Sequence, residues 1–327
     1  TMSNIRNIAV LTSGGDAPGM NAAIRSVVRT GIYCGMDVFG FFRGYQGLIE
    51  NDFRTLSARS VNSVLNRGGT ILKSARSLDF LEEENRQIAI QNLKANDIQA
   101  LVALGGDGTF RGAQKIAEES DIKVIAIPCT IDNDIPLTDY TIGFNTACET
   151  VIEAVDKIRD TAMSHDRIFF VEVMGRDTGH IAVEAALASG ALMAYIPERT
   201  SHIQPLLNKL SEGKQKNKSS SIVIVAEGDE LGGAVGLAKA VEQHLPQYET
   251  KVSILGHIQR GGSPSVFDRN LASRMGWAAI DFLLKDKSEG MVASWKGKLE
   301  FVPFEDLKGA KKELDLLSLE IIDTLAT

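Results

Sequence analysis

The sequence predicts an α/β protein built from doubly wound, mostly parallel sheets. Apolar runs of strand length alternate with helix-length segments along much of the chain, which is the pattern of repeated strand–helix units. Glycine-rich turns follow several of the apolar runs. The length of 327 residues exceeds what one hydrophobic core usually holds, so we expect two domains.

The predicted strands are short apolar runs at residues 5–11, 98–104, 124–127, 168–173, 221–226 and 251–255. The predicted helices lie between them, at residues 18–33, 110–119, 146–163, 178–190, 201–212 and 234–245. Pro18 suits the first turn of a helix, and Thr146 with Glu149 has the spacing of a capping box. The polar run 213–220 is the most linker-like segment.

Charge and cysteine content exclude several classes of protein. A net charge of −7 argues against a broad surface for nucleic acid or anionic membrane. Three cysteines without a CxxC pair argue against a disulfide framework and favour a reducing compartment. The N-terminal residues lack the order of a signal peptide, and no apolar stretch reaches 18 residues. We therefore expect a cytoplasmic protein without membrane or nucleic-acid partners.

A glycine-rich turn, TSGGDAPG at residues 12–19, joins the first predicted strand to the first helix. Glycines let the backbone approach a ligand closely, and the N–H groups at a helix N-terminus attract anions. The turn matches neither GxGxxG nor the Walker P-loop pattern. A simple tight turn remains an alternative.

A second turn, LGGDGT at residues 104–109, has three glycines around one acid. This pattern suits a nucleotide polyphosphate, with Asp107 binding Mg²⁺. The alternative is that Asp107 only caps the following helix.

Two acids, Asp132 and Asp134, follow the predicted strand at 124–127. In an extended loop, side chains at i and i+2 project to the same side. Metal binding, proton abstraction and a turn-forming role are all open for this pair.

Five cations stand in strand-terminal or glycine-rich contexts, where phosphate clamps are common. They are Arg76, Arg167, Arg176, His257 and Arg260. With the glycine turns and Asp107, they predict Mg²⁺, a polyphosphate and a second anionic ligand. These residues fit phosphoryl transfer but do not identify the acceptor.

The motifs LTSGGDAPGMNAAIR, NRGGT…SAR, GGDGT, TIDNDI, VEVMGR and LGHIQRGGSP…DR, read in order from about Ile8 to Met275, closely resemble the ATP-dependent 6-phosphofructokinases of bacteria. The resemblance implies a glycolytic kinase that transfers the γ-phosphoryl of MgATP to the 1-hydroxyl of fructose 6-phosphate, giving fructose 1,6-bisphosphate and ADP. It also implies two domains with the active site in the cleft between them. The implied ATP domain covers 1–139 plus 254–303, and the sugar-phosphate domain covers 140–253 plus 304–327.

The resemblance assigns a role to each matching residue. Asp132 would be the general base, with Asp134 as its support, and Asp107 would hold Mg²⁺. The residues implied to line the ATP phosphates are Gly15, Arg76, Ser77, Gly106, Gly108 and Thr109. Those implied to bind fructose 6-phosphate are Thr130, Asp132, Arg167, Met174, Gly175, Arg176, Glu227, Lys251, His257 and Arg260. Those implied in catalysis are Asp132, Arg76, Thr130 and Arg176.

Arg167 would reach the active site of a neighbouring subunit, so the resemblance implies a homotetramer with shared active sites. Lys251 stands where bacterial members commonly have Arg, which keeps the charge but loses the bidentate fork. Leu81 replaces an Arg that commonly contacts ATP.

The phosphoryl donor depends on two positions in this family. Pyrophosphate-dependent relatives tend to carry Asp where this chain has Gly108, and Lys where it has Cys129. We therefore expect ATP as the donor, and a small buried role for Cys129. The alternatives are a pyrophosphate-dependent enzyme, or a non-catalytic nucleotide-sensing paralogue, although the latter should have lost Asp132 or Asp107.

An allosteric site for ADP or phosphoenolpyruvate is implied only in part. The cations that match it are Arg25, Arg29, Arg59, Arg159, Lys216 and Lys218. Leu192 replaces the Glu that binds the effector's Mg²⁺ in regulated members, so we do not expect the usual ADP activation.

Overall fold

The computed structural model describes residues 5–163, 167–215 and 221–326. The backbone contacts divide the chain into two compact units. Unit 1 comprises Thr1–Thr130, Ile135–Thr146 and Arg260–Lys312. Unit 2 comprises Ile131–Asp134, Ala147–Gln259 and Glu313–Thr327.

The strands are β1 (Asn7–Thr12), β2 (Asp37–Phe41), β3 (Phe53–Leu56), β4 (Ala100–Gly105), β5 (Lys123–Thr130), β6 (Ile142–Gly143), β7 (Arg167–Val173), β8 (Met193–Tyr195), β9 (Ser221–Ala226), β10 (Glu249–Ile254), β11 (Gly290–Trp295) and β12 (Lys298–Pro303).

The helices are α1 (Met20–Tyr33), α2 (Tyr45–Glu50), α3 (Glu83–Ala95), α4 (Asp107–Glu119), α5 (Phe144–Met163), α6 (His180–Ser189), α7 (Gln204–Gln215), α8 (Gly233–His244), α9 (Val266–Leu284) and α10 (Leu316–Leu325). Short 3-10 helices cover Asp79–Leu81, Gly256–Arg260 and Phe304–Leu307.

The sheet of unit 1 has the order β12-β11-β5-β4-β1-β2-β3, and β6 pairs with β5. Its central pairs are parallel, whereas the edge pairs β2–β3 and β11–β12 are antiparallel. The sheet of unit 2 has the order β10-β7-β9-β8, with parallel pairs throughout. The predicted α/β class with mostly parallel sheets is confirmed.

The burial of the central strands explains why they appear in the sequence as unbroken apolar runs. Every residue of β4 is buried, as is every residue of β5 after Lys123. Helices on both faces of a parallel sheet exclude water from both sides, so alternation of polar and apolar residues is not needed. Six strands were not predicted. The β2, β3, β11 and β12 strands contain polar residues or glycine, and β6 and β8 are only two and three residues long.

The predicted capping box at Thr146 and Glu149 is wrong. Helix α5 begins at Phe144, so Thr146 lies inside its first turn. The Thr146 hydroxyl and N–H instead donate to Asp268 Oδ2 at 2.5 and 2.8 Å, and the Gly143 N–H donates to Asp268 Oδ1 at 2.9 Å. A buried carboxylate from α9 therefore organises this helix start.

The linker-like run 213–220 falls largely outside the described residues, since α7 extends to Gln215 and the description resumes at Ser221. Within the described ranges, no helix combines the length and apolar character that crossing a membrane requires.

Candidate active site

The two predicted glycine turns lie side by side in unit 1. Strands β1 and β4 are neighbours, but the chain leaves β1 toward β2 on one side and leaves β4 toward β5 on the other. Such a switch point opens a crevice at the carboxyl ends of the strands, where doubly wound sheets bind ligands. Both glycine turns follow these carboxyl ends.

Direct hydrogen bonds hold the two turns together. The Ser13 N–H donates to Leu104 O at 3.0 Å, and the Thr109 hydroxyl donates to Ser13 O at 3.1 Å. A Cβ built on Gly105 would lie 2.5 Å from Ser13 O, so the close approach requires glycine there. Thr109 is buried, whereas Gly15 and Gly108 are exposed. The exposed glycines therefore form the open side of the crevice.

Asp107 is the first residue of α4, and Gly106 is the N-cap. The alternative that Asp107 caps this helix is therefore wrong. Its side chain is 57% exposed and contacts Arg111 Nη2 at 2.6 Å. A carboxylate at a helix N-terminus beside exposed backbone N–H groups suits a metal-bound polyphosphate.

Asp107 fits Mg²⁺ as one ligand among several. In the described ranges, no three or more His, Cys, Asp or Glu side chains cluster as a metal site. Mg²⁺ commonly takes one or two carboxylates plus the phosphates of a nucleotide. A Cβ built on Gly108 would meet no atom within 4 Å, so space for phosphate adjoins Asp107.

Arg260 belongs to the same crevice. Its Nη1 donates to Asp16 O at 3.3 Å, and a Cβ on Gly15 would lie 2.7 Å from Nη1. We predicted Arg260 for the sugar phosphate and Gly15 for ATP, but the structure places the two residues in contact. A guanidinium therefore lies against the open glycine turn.

The segment that carries Arg76 is anchored by a residue that sequence reasoning missed. Asn21 on α1 donates to the carbonyls of Arg67 and Gly68 and accepts from the Ile71 N–H at 2.7 Å. Asn21 is buried, and a polar residue on the apolar face of a helix was the available signal. Arg76 itself is exposed.

Ser77 lies beside Arg76 and donates from its hydroxyl to Gln46 Oε1 at 2.8 Å. Together with the Asn21 contacts, this bond fixes the chain on both sides of the exposed Arg76 side chain.

The loop with the two acids turns rather than continuing as a strand. Asn133 has φ 51°, in the left-handed region, so the loop is not extended and the same-side argument for Asp132 and Asp134 does not apply. Asp132 is 7% exposed, and its backbone carbonyl accepts a bond from the Thr178 hydroxyl at 3.2 Å. Asp134 is half-buried. Asp132 is the more buried of the two residues, although one carboxylate oxygen of each is shielded from solvent.

In unit 2, predicted substrate residues follow the carboxyl ends of adjacent strands. Met174, Gly175 and Arg176 follow β7, Glu227 follows β9, and His257 lies just beyond β10. These three strands are neighbours in the order β10-β7-β9. They therefore bring the residues to one edge of the sheet.

Arg176 has φ 56°, which is uncommon for a residue with a side chain. The Glu227 carboxylate accepts the Arg176 N–H at 2.8 Å and stabilises this conformation. Backbone strain of this kind concentrates at functional sites. Glu227 thus positions Arg176, a role that the sequence did not suggest.

A second missed residue is Gln259. It is fully buried, accepts from the Met174 N–H at 3.3 Å and donates to Gly256 O at 3.1 Å. It ties the turn after β7 to the segment after β10. The available sequence signal was a polar glutamine next to the glycines of LGHIQRGG.

Two predicted substrate residues are not brought to this edge. Arg167 begins β7, and Lys251 lies near the start of β10. Arg167 and Val173 are the first and last residues of β7 and lie six residue steps apart, a distance of roughly 20 Å. Within one chain, Arg167 therefore lies far from Arg176, and Lys251 lies in the first half of β10, before the edge. Both cations contact Glu249.

Comparison with known proteins agrees with this arrangement. A family model described as Phosphofructokinase matches residues 7–283, which include both glycine turns, the acid loop and the strand ends of unit 2. The chain belongs to the phosphofructokinase family.

Relatives extend this match over nearly the whole chain. "ATP-dependent 6-phosphofructokinase 2" of Bacteroides thetaiotaomicron is 50% identical over 93% of this chain and 93% of its own length. "ATP-dependent 6-phosphofructokinase" of Brevibacillus brevis is 48% identical over 98% of this chain and its entire length. A solved phosphofructokinase from Saccharomyces cerevisiae superposes with a TM-score of 0.86 at 30% identity; the match covers 98% of this chain and 46% of the yeast chain.

Three positions that the sequence analysis singled out can be placed in the structure, and the buried role expected for Cys129 is confirmed. Leu81 is exposed, and Cys129 is fully buried in β5. Burial, with a smaller contribution from the Asp268 carboxylate, raises the pKa of the Cys129 thiol well above its ordinary value. Cys129 is therefore a protonated core residue. Leu192 is 6% exposed and packs in the hydrophobic core of unit 2.

The predicted effector cations are only partly described. Arg29 donates to Ala58 O at 3.5 Å, next to Arg59, and Arg159 donates to Ser189 O. Arg25 is half-buried on α1. Lys216 and Lys218 lie outside the described residues.

Proposed function

We propose that the chain is an ATP-dependent 6-phosphofructokinase, which transfers the γ-phosphoryl of ATP to the 1-hydroxyl of fructose 6-phosphate. The observation that carries the proposal is the pair of glycine turns at the β1–β4 switch point, with Asp107 exposed beside Gly108. The names of relatives at 50% and 48% identity support ATP as the donor.

Unit 1 would bind the nucleotide. Gly15, Gly106 and Gly108 would let backbone N–H groups approach the phosphates, and Arg76 would offset the charge of the transferring group. When bound by Asp107, Mg²⁺ would neutralise phosphate charge. Arg260, which lies against Gly15, would add a second cation to the same crevice. Thr109 and Ser77 would support the turns that carry these groups.

Asp132 would act as the general base. Its carboxylate would accept the proton of the 1-hydroxyl as that oxygen forms its bond to the γ-phosphorus, while ADP leaves with the electrons of the broken P–O bond. Burial keeps the carboxylate in one place, which favours a positioned base. Thr130 would contact the substrate next to this base.

Unit 2 would hold fructose 6-phosphate. Met174, Gly175, Arg176, Glu227 and His257 lie at one sheet edge and would surround the sugar phosphate. Arg167 begins β7 and Lys251 lies in the first half of β10, away from the sheet edge that carries Arg176, which supports a role in the active site of another subunit. A homotetramer, a cytoplasmic location and regulation by ADP or phosphoenolpyruvate are further parts of the proposal.

A coupled aldolase assay with fructose 6-phosphate tests the proposal directly. MgATP should support turnover, and omission of Mg²⁺ should abolish it. Faster turnover with pyrophosphate than with ATP would establish the pyrophosphate-dependent alternative. Nucleotide binding without turnover on any donor would indicate a nucleotide-sensing paralogue.

A further inference from the structure

One carboxylate in unit 2 engages both cations that lie away from the main substrate edge. Glu249 on β10 is the register partner of Arg167 on β7. Lys251 follows two residues later, so its side chain projects from the same face as that of Glu249. Arg167 Nε lies 2.8 Å from Glu249 Oε2, and Lys251 Nζ lies 2.7 Å from Glu249 Oε1. Each carboxylate oxygen therefore binds a different cation.

The charge of this cluster is fixed near neutral pH. The hydrogen bond from Arg167, followed by that from Lys251, lowers the pKa of Glu249 to about 2. The Glu249 carboxylate therefore stays ionised at near-neutral pH. Two positive charges and one negative charge leave a net charge of +1 instead of +2.

We propose that Glu249 is an internal competitor for the substrate phosphate at Arg167 and Lys251. The inference rests on the proposed function, which assigns these two cations to the 6-phosphate of fructose 6-phosphate. A phosphate and a carboxylate bind guanidinium and ammonium groups through the same charge-assisted hydrogen bonds. A phosphate that reaches the cations must displace Glu249 or bind beside a like charge.

The competition should be moderate because the cluster is open to water. The side chains of Glu249 and Lys251 are 49% and 45% exposed, and that of Arg167 is 25% exposed. Solvent screening keeps such ion pairs weak. Glu249 would therefore adjust the affinity for the phosphate without preventing its binding.

A purely structural role for Glu249 is less favoured by the contacts. Strands β7 and β10 pair over six register positions, from Glu249↔Arg167 to Ile254↔Glu172. Backbone hydrogen bonds already hold these strands together, so an exposed ion pair at one end adds little.

The test compares Glu249→Gln with the wild-type chain. The variant keeps the size of the side chain and removes its charge, so the Kd for fructose 6-phosphate, measured by calorimetry without nucleotide, should fall two- to fivefold. The KM should fall by the same factor while kcat stays within about twofold, since Glu249 does not touch the reacting atoms. The difference should shrink in high salt.

Two control variants separate the local effect from a general one. Glu249→Asp keeps the carboxylate, and its affinity should stay near that of the wild type. Glu320→Gln removes one exposed negative charge from α10 of the same unit, and it should leave the affinity unchanged.

Unchanged affinity in E249Q would overturn the inference because Glu249 would then not compete with phosphate. Weaker affinity would overturn it because Glu249 would then position the cations. Equal tightening in E249D or E320Q would overturn it as well. Inorganic phosphate is the second probe and needs no catalysis. If the wild type shows no kinase activity, the proposed function fails, and the phosphate Kd of E249Q still decides the inference.

Discussion

Arg111 Nη2 lies 2.6 Å from Asp107 Oδ2, one turn further along α4. The carboxylate that we assign to Mg²⁺ therefore has a cationic partner on its own helix. Both side chains are more than half exposed, so the pair should contribute only about 0.3–0.5 kcal/mol to stability.

This pair offers a matched test of the metal assignment. Asp107→Asn and Arg111→Gln break the same ion pair, so both should unfold at nearly the same temperature as the wild type. Only Asp107→Asn should lose turnover, by roughly 10²–10³-fold, because it removes the Mg²⁺ ligand. Turnover and thermal unfolding measured on both variants decide the matter. Equal turnover in the two variants would contradict the assignment.

The general base can be tested at Asp132. Asp132→Ser should lower kcat by roughly 10²–10⁴-fold and leave the affinity for ATP largely unchanged, because only the proton acceptor is removed. Asp134→Asn, with a half-buried carboxyl in the same loop, should cost less than about tenfold. Steady-state kinetics and nucleotide titrations measure both effects. Near-normal turnover in Asp132→Ser would disprove the role.

The contact between Gly15 and Arg260 predicts a coupled pair. Gly15→Ala would place a Cβ 2.7 Å from Arg260 Nη1 and must displace the guanidinium. We expect kcat/KM to fall at least about tenfold through this displacement. The double variant Gly15→Ala with Arg260→Gln should be no worse than Arg260→Gln alone. Additive losses would show that Gly15 acts independently of Arg260.

Asp268 should be a major source of stability in unit 1. Its buried carboxylate accepts bonds from Gly143 and from both donors of Thr146, so Asp268→Asn leaves a buried donor unsatisfied. We expect a loss of about 2–4 kcal/mol in the free energy of unfolding, measured in urea. Thr146→Val removes the hydroxyl that donates to Asp268 and accepts from the Ser265 N–H, and it should cost about 1–2 kcal/mol. A larger loss in Thr146→Val than in Asp268→Asn would contradict this account.

The buried Cys129 thiol makes stability depend on alkaline pH. Its pKa in the folded chain is raised, mainly by burial, whereas an unfolded thiol titrates near about 8.5. Above that pH the unfolded state loses the proton first, so this contribution to stability is complete at lower pH and declines as the pH rises. The slope approaches about 1.4 kcal/mol per pH unit.

The measurement is urea unfolding between pH 8 and 9.5, below the range where tyrosine titrates. Cys129→Ser should show a shallower decline than the wild type, whatever its absolute stability. The same decline in both chains would show that other groups cause it. In the native chain, a thiol reagent should modify the exposed Cys34 before the buried Cys129.

The structural features that depend on local sequence pattern were predicted best. Strands β4 and β5 were found because burial on both faces demands apolar residues at every position. The glycine turns were found because close backbone approach restricts the residue type. Those two features already placed the nucleotide crevice at strand ends.

Features that depend on distant partners could not be read from the sequence. Asn21, Gln259 and Asp268 are polar residues whose importance comes from burial and from partners far along the chain. The left-handed turn at Asn133 and the helix start at Asp107 depend on tertiary packing, which overrides local spacing. The ion pair of Glu249 with Arg167 depends on a strand register that joins residues 82 positions apart.

Leu192 has a consequence for the mutational paths open to this chain. It packs with Leu206, Leu210 and Val223 in the core of unit 2. Replacing it with Glu would place a carboxylate among apolar side chains, at a cost of several kcal/mol unless neighbouring residues changed as well. A metal-binding carboxylate at this position would therefore require the surrounding core to be repacked at the same time.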